Sequence, residues 1–128
     1  KDPRVVVMER TNARHLEGGS LPDPVDLIVG DLSFISLRLI LPAIQRIGQP
    51  GAEAVLLIKP QFEAGPEGLR RGGVVKDDET RSAAIAQVVD DAVQQGFLVH
   101  GTVSSPIAGA RSGNIEELMH LTLPGGAP

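Results

Sequence analysis

The stretch "AEAVLLIKPQFE", residues 52–63, decides how the chain is read. Residues 52–58 form an aliphatic run apolar on both faces, the pattern of a strand covered on both sides rather than one with a wet face. Lys59 follows at once, and Pro60 stops the strand where it emerges. A lysine at that point either snorkels its ammonium to solvent or acts there, and on local grounds the two are evenly matched.

Working outward, "RVVVME" (4–9) is a β-branched run and "VDLIVGD" (25–31) a second, preceded by Pro22 and Pro24. From Ser36 the apolar period lengthens: Leu37, Ile40, Leu41, Ile44 and Ile47 fall at helical spacing, with Gly48 and Pro50 ending the run. Beyond a glycine-rich loop, Asp77 or Asp78 caps a second helix that carries Ile85, Val88, Val89, Ala92 and Val93, with Gly96 as its C′ residue. "FLVHGTV" (97–103) and "IEELMHLTL" (115–123) read as two last strands, antiparallel across a Pro/Gly/Ser turn region. The expected fold class is α/β: a mostly parallel sheet with a C-terminal antiparallel strand pair and helices on both faces, like the second half of a doubly wound sheet.

Composition narrows the function. The chain has 128 residues and 41% hydrophobic content, enough for one core. It contains no cysteine, and His15, His100 and His120 share no metal-ligand spacing, so no metal site is expected. A net charge of −4 argues against a self-sufficient nucleic-acid binder, and three phenylalanines as the only aromatics suggest no platform for stacking bases. Without a long apolar run or an export signal, the expectation is a cytoplasmic protein with no membrane partner.

In doubly wound sheets ligands sit at the carboxyl ends of the strands. Three polar features fall there: Glu9 to Asn12, Asp31 and Lys59. Taken alone, Asp31 reads more readily as a turn or helix-capping residue, because "DLS" precedes an apolar helix. Glu116 reads as a surface residue, since Ile115, Glu117, Met119, Leu121 and Leu123 alternate on the other face. Arg70 and Arg71 are either phosphate contacts or part of a solvated loop. No GxGxxG turn is present, and the chain reads as beginning part-way through a domain.

The blocks "DPRVVVMERTNARHL", "VDLIVGDLSFISLRLILPAI", "LLIKPQFEAG", "GGVVKD" and "SPIAG…GNIEEL" occur in an order that resembles the TlyA family. These proteins carry the name haemolysin and group with the FtsJ-like ribosomal-RNA 2′-O-methyltransferases. The resemblance implies that residues 1–128 are the C-terminal part of a Rossmann-like methyltransferase domain. It also implies S-adenosylmethionine as cofactor and ribosomal RNA or a ribosomal subunit as partner. The family's glycine-rich cofactor loop and S4-like RNA-binding domain have no counterpart in these residues, so cofactor binding by this chain alone is not expected.

FtsJ-like enzymes use a Lys-Asp-Lys-Glu tetrad. By motif, the resemblance assigns Asp31 of "GDLSFIS", Lys59 of "IKPQFE" and Glu116 of "GNIEEL" to its last three positions, and Asn12 of "RTNAR", with Asp31, to cofactor contact. The first lysine has no match. Methyl transfer from a sulfonium is an in-line displacement that needs an aligned 2′-hydroxyl and removal of its proton. Without a second lysine, Lys59 is expected to be a charged anchor paired to both Asp31 and Glu116. The competing functions are an inactive α/β interaction module and a cytotoxic haemolysin. A further expectation is self-association through the exposed sheet edge.

Overall fold

The computed structural model describes residues 2–107 and 113–125. In chain order its elements are β1 (Val25–Gly30), α1 (Leu41–Ile47), β2 (Gly48–Ile58), β3 (Leu69–Arg70), β4 (Val74–Val75), α2 (Asp78–Gln94), β5 (Leu98–Ser104) and β6 (Glu117–Thr122), with short 3₁₀ turns between them. The main sheet has the order β1-β2-β6-β5, and β3 and β4 form a separate hairpin. β1 and β2 are parallel, whereas β6 runs antiparallel to both β2 and β5. Three of the four sheet strands therefore share a direction, as expected. Residues 108–112, part of the anticipated turn region before β6, lie outside the described residues.

The local signals for the helices operate as the sequence suggests. Asp77 caps α2 by accepting the Thr80 N–H at 2.7 Å. At the other end Gly96, at φ +96°, turns the chain so that Phe97 N–H bonds the Ala92 carbonyl, a Schellman arrangement. α1 begins with Pro42 in its first turn and buries Leu41, Ala43 and Ile44.

One face of the sheet holds the core. Ala54, Leu56 and Ile58 of β2 and Met119 and Leu121 of β6 pack against Leu41 and Ile44 of α1 and Val88 and Ala92 of α2. Leu56 is completely buried, a burial that contributes roughly 1.5–3 kcal/mol by transfer from water. At its approach to β1 there is room only for glycine: a Cβ on Gly30 would lie 2.9 Å from a Leu56 methyl.

Two expectations are corrected. Helices do not cover both faces among the described residues; α1 and α2 lie on the same one. The chain moves across the sheet in a single direction, from β1 to β2 to β5, and right-handed crossovers that run one way deposit their helices on one side. Leu27, Val29, Leu98 and Val103 on the opposite face stay exposed. The "RVVVME" run is not a strand either: Val5, Val6 and Val7 are exposed and unpaired in any ladder. β-propensity without a neighbouring strand leaves the backbone polar groups to water, and no sheet forms.

Candidate active site

β1 and β2 are adjacent and parallel, with Gly30 in register with Leu56, so Asp31 and Lys59 leave the sheet at the same rim. Lys59 Nζ lies 2.6 Å from Asp31 Oδ1 and donates to Ser33 Oγ at 2.9 Å. Only 12% of the Lys59 side chain is exposed, against 71% for Asp31. The lysine does not snorkel; it is held beneath an outward-facing carboxylate. Asp31 does not cap the following helix. Ser36 does, accepting the Arg38 N–H.

Past Lys59 the chain makes a 3₁₀ turn, Pro60–Phe62, whose residues reach two other parts of the rim. Gln61 Nε2 donates to Glu116 Oε2 at 3.0 Å, which also fixes the amide's orientation, because a carboxylate can only accept. Phe62 packs its ring 5.0 Å from that of Phe34, inclined at 47°. Phe34 sits at φ +64°, in the left-handed region that residues with a Cβ disfavour, and is 88% exposed. With Arg14, Ile35, Ser36 and Leu39 the two rings line a groove of about 600 Å³.

Glu116 departs from its expected place. It is 8% exposed rather than a surface residue, while Ile115, expected in the core, is exposed. The alternation does not carry back to them: both precede β6, which begins at Glu117, although the Glu116 carbonyl still accepts from Ser105 N–H at 2.7 Å. Among the described residues Glu116 forms no ion pair with Lys59, which corrects the expectation of a lysine shared between two carboxylates. Lys59 is already engaged by Asp31 and Ser33, and it is Gln61 that bridges to Glu116.

Asn12 is exposed and caps a 3₁₀ turn, accepting the Arg14 N–H at 3.0 Å and so setting the backbone from which Arg14 reaches the groove. Arg70 and Arg71 are exposed on the β3–β4 hairpin, where Gly72 and Gly73 both adopt positive φ. Asn114 ties that hairpin to the Glu116 segment, accepting from Val75 N–H at 2.9 Å and donating to the Gly73 carbonyl at 3.1 Å. Among the described residues no three His, Asp or Glu side chains gather as a metal site.

Several rim residues escaped the sequence reading. Two of the three phenylalanines meet at the same rim. Their rings come from loops after different strands, 28 positions apart, and only parallel pairing brings them together. A signal did exist: each lies in the same block as an assigned residue, Phe34 in "DLSFIS" and Phe62 in "KPQFE".

A family model described as FtsJ-like methyltransferase matches residues 1–122. The chain is 45% identical over 120 residues to the 16S/23S rRNA (cytidine-2′-O)-methyltransferase TlyA of Mycobacterium tuberculosis, covering 94% of this chain and 44% of that protein. It is 37% identical over 123 residues to Hemolysin A of Brachyspira hyodysenteriae, covering 95% of this chain and 51% of the relative. A solved structure of a suspected hemolysin from Streptococcus thermophilus superposes with TM-score 0.91 at 40% identity, over 98% of this chain and 46% of that one. The N-methyltransferase NodS of Bradyrhizobium japonicum, at 14% identity and TM-score 0.54 over 90% of this chain and 58% of its own, shares the fold. The chain thus spans about half the length of the relatives it matches.

Proposed function

The chain belongs to the FtsJ-like methyltransferase family, and from that premise we propose that it forms the C-terminal part of the catalytic domain of an S-adenosylmethionine-dependent ribosomal-RNA 2′-O-methyltransferase. The observation that carries this reading is the Asp31–Lys59 pair, 2.6 Å apart where two parallel strands end. It lies on the rim where doubly wound folds bind their ligands.

S-adenosylmethionine supplies the methyl group as an electrophilic sulfonium. The rim suits such a cofactor by the chemistry of its accessible groups: the outward carboxylate of Asp31 and the exposed Asn12 are the residues that would hold it. Lys59 then anchors the ribose 2′-oxygen by hydrogen bonding, with its ammonium fixed in direction by Asp31 and Ser33. Alignment of that oxygen is where this chain contributes most, because in-line displacement depends on near-attack geometry. Glu116, oriented by Gln61, completes the polar set on the far side of the Pro60–Phe62 turn.

RNA would be held by one aromatic face and three arginines. The exposed face of Phe34 offers a surface for a base drawn out of its stack, and such stacking contributes about 1–3 kcal/mol per base. Arg14, in the same groove, and Arg70 and Arg71 on the hairpin are the cations available to phosphates.

The test uses full-length protein, S-adenosylmethionine tritiated in its methyl group, and ribosomal subunits purified from cells lacking the gene. Label on a ribose 2′-oxygen, lost with Lys59→Met, is the expected result. Subunits that stay unlabelled by wild-type protein under conditions where it binds the cofactor would refute the proposal.

A further inference from the structure

Glu63 has no part in the chemistry above, yet its side chain is only 2% exposed. A buried carboxylate persists only where hydrogen bonds and charge replace its water. Here it accepts from Ser36 Oγ and from Leu37 N–H, both at 2.6 Å, and lies 3.6 Å from Arg38 Nε. The Leu37 N–H belongs to the first turn after β1 and would otherwise be an orphan donor at a helical N-terminus, where a negative charge is favoured.

These bonds are the outermost of three successive links between the loops that follow β1 and β2. At the strand ends Lys59 holds Asp31 and Ser33; one step out, Phe62 packs on Phe34; and at the far end Glu63 holds Ser36 and Leu37. The segment 31–37 is thus pinned at both ends, and its middle residue, Phe34, is the one at φ +64°. A left-handed phenylalanine persists only where its surroundings over-determine it. The inner link alone leaves Ser36 free to swing, and the Phe34 backbone could then relax.

We infer that Glu63 is a positioning residue: its buried carboxylate clamps the Asp31–Leu37 loop to the Lys59–Phe62 turn and so sets the orientation of Phe34 and the Asp31–Lys59 pair. The link to catalysis rests on the methyltransferase reading, whereas the clamp itself does not. Glu63→Gln keeps the size and one acceptor oxygen but removes the charge and leaves one of the two donors facing an NH₂ group. Ser36→Ala removes the Ser36 bond to Glu63 together with the bonds that Ser36 Oγ accepts from Arg38 N–H and Nε, and leaves the carboxylate with its charge, Leu37 and Arg38.

Two measurements on full-length protein test it. In the first, 4-fluorophenylalanine is incorporated and the ¹⁹F resonances of Phe34, Phe62 and Phe97 are assigned by single Phe→Leu substitutions. Glu63→Gln is expected to shift or broaden Phe34 and Phe62 and to leave Phe97, buried in the core, unmoved. In the second, methyl transfer to ribosomal subunits is expected to lose tenfold or more in kcat, with KM for S-adenosylmethionine within twofold of wild type. A merely structural defect would instead lower the active fraction and move Phe97 too. If Glu63→Gln disturbs all three resonances, Ser36→Ala, which keeps the Glu63 charge in place, decides, with the same selective pattern expected. Unchanged Phe34 and Phe62 signals, or kcat within twofold of wild type, would overturn the inference. A wild-type protein inactive on RNA would sink the functional reading and leave the fluorine spectra to judge the clamp.

Discussion

Lys59 and Asp31 meet at 2.6 Å although 28 positions separate them, because β1 and β2 are parallel neighbours that end at one level. The ammonium is sheltered and the carboxylate is not, so the pair presents one oriented donor under one accessible acceptor. Removing either half should act on rate rather than on folding.

Lys59→Met in the full-length protein is therefore expected to lower methyl transfer by at least about 10²-fold, the scale of losing one oriented polar group at a reacting centre. Asp31→Asn should fall in the same range. The double variant should be little worse than the more damaging single one, since groups that act as a unit are non-additive. Initial rates with tritiated cofactor measure all three; strictly multiplicative losses would show that the two residues act separately.

The bridge from Gln61 to Glu116 predicts an ordering of stabilities. Gln61→Leu strands a buried acceptor on Glu116, expected to cost roughly 1–3 kcal/mol. The loss should fall toward the low end, because the substitution also removes Gln61 Oε1, a buried oxygen with no partner. Gln61→Glu sets two carboxylates together and should be worse at neutral pH than Gln61→Leu. Urea unfolding at pH 7 checks the order, and a Glu variant as stable as wild type would contradict it.

α2 carries a pH dependence at its start. Hydrogen bonds from Thr80 hold the Asp77 carboxyl below the usual carboxylate range, with smaller help from Lys76 and Arg70. The folded state thus favours the charged form, and the stabilisation is complete above the ordinary aspartate pKa of about 3.9. It is lost as pH falls through the lower folded value. Asp77→Asn, which still caps but cannot ionise, should flatten the acid limb of α2 melting followed by circular dichroism, and an unaltered limb would show that the cap does not titrate in this way.

The uncovered face and the free edge of β1 predict behaviour for the isolated 128-residue chain. Leu27 and Val29 lie on that face beside an edge with no partner strand among the described residues, a surface open to pairing with a second copy. Light scattering at high concentration should report dimers or larger species, reduced by Val29→Lys. A monomer under those conditions would count against the idea.

Much of the fold was legible because it is set by local periodicity. The β2 run, the α2 stripe with Asp77 and Gly96 at its ends, and the antiparallel β5–β6 pair each follow from residues close in sequence. Misreadings arose where a local pattern lacked a partner or a frame. "RVVVME" has strand chemistry with no partner strand among the described residues. Ile115 and Glu116 alternate as a strand would, but they lie before β6 begins at Glu117 and exchange expected burial.

At the rim, residue type marked Asp31 and Lys59 as polar groups at the ends of apolar strands, and only the motif order of the family resemblance singled out Asp31, Lys59 and Glu116 together as site residues. Which of them touch could not be read there. That Lys59 takes Asp31 and Ser33 but not Glu116, that Gln61 supplies the bridge, and that Glu63 pins the loop carrying Phe34 all depend on contacts across roughly 26 to 55 positions. Sequence by itself determined β2, α2 and the β5–β6 pair and placed charged groups at the strand ends, since these depend on each residue and its near neighbours. Tertiary structure decided the partnerships, since a hydrogen bond needs its atoms within about 3 Å, and that distance is set by strand order and register.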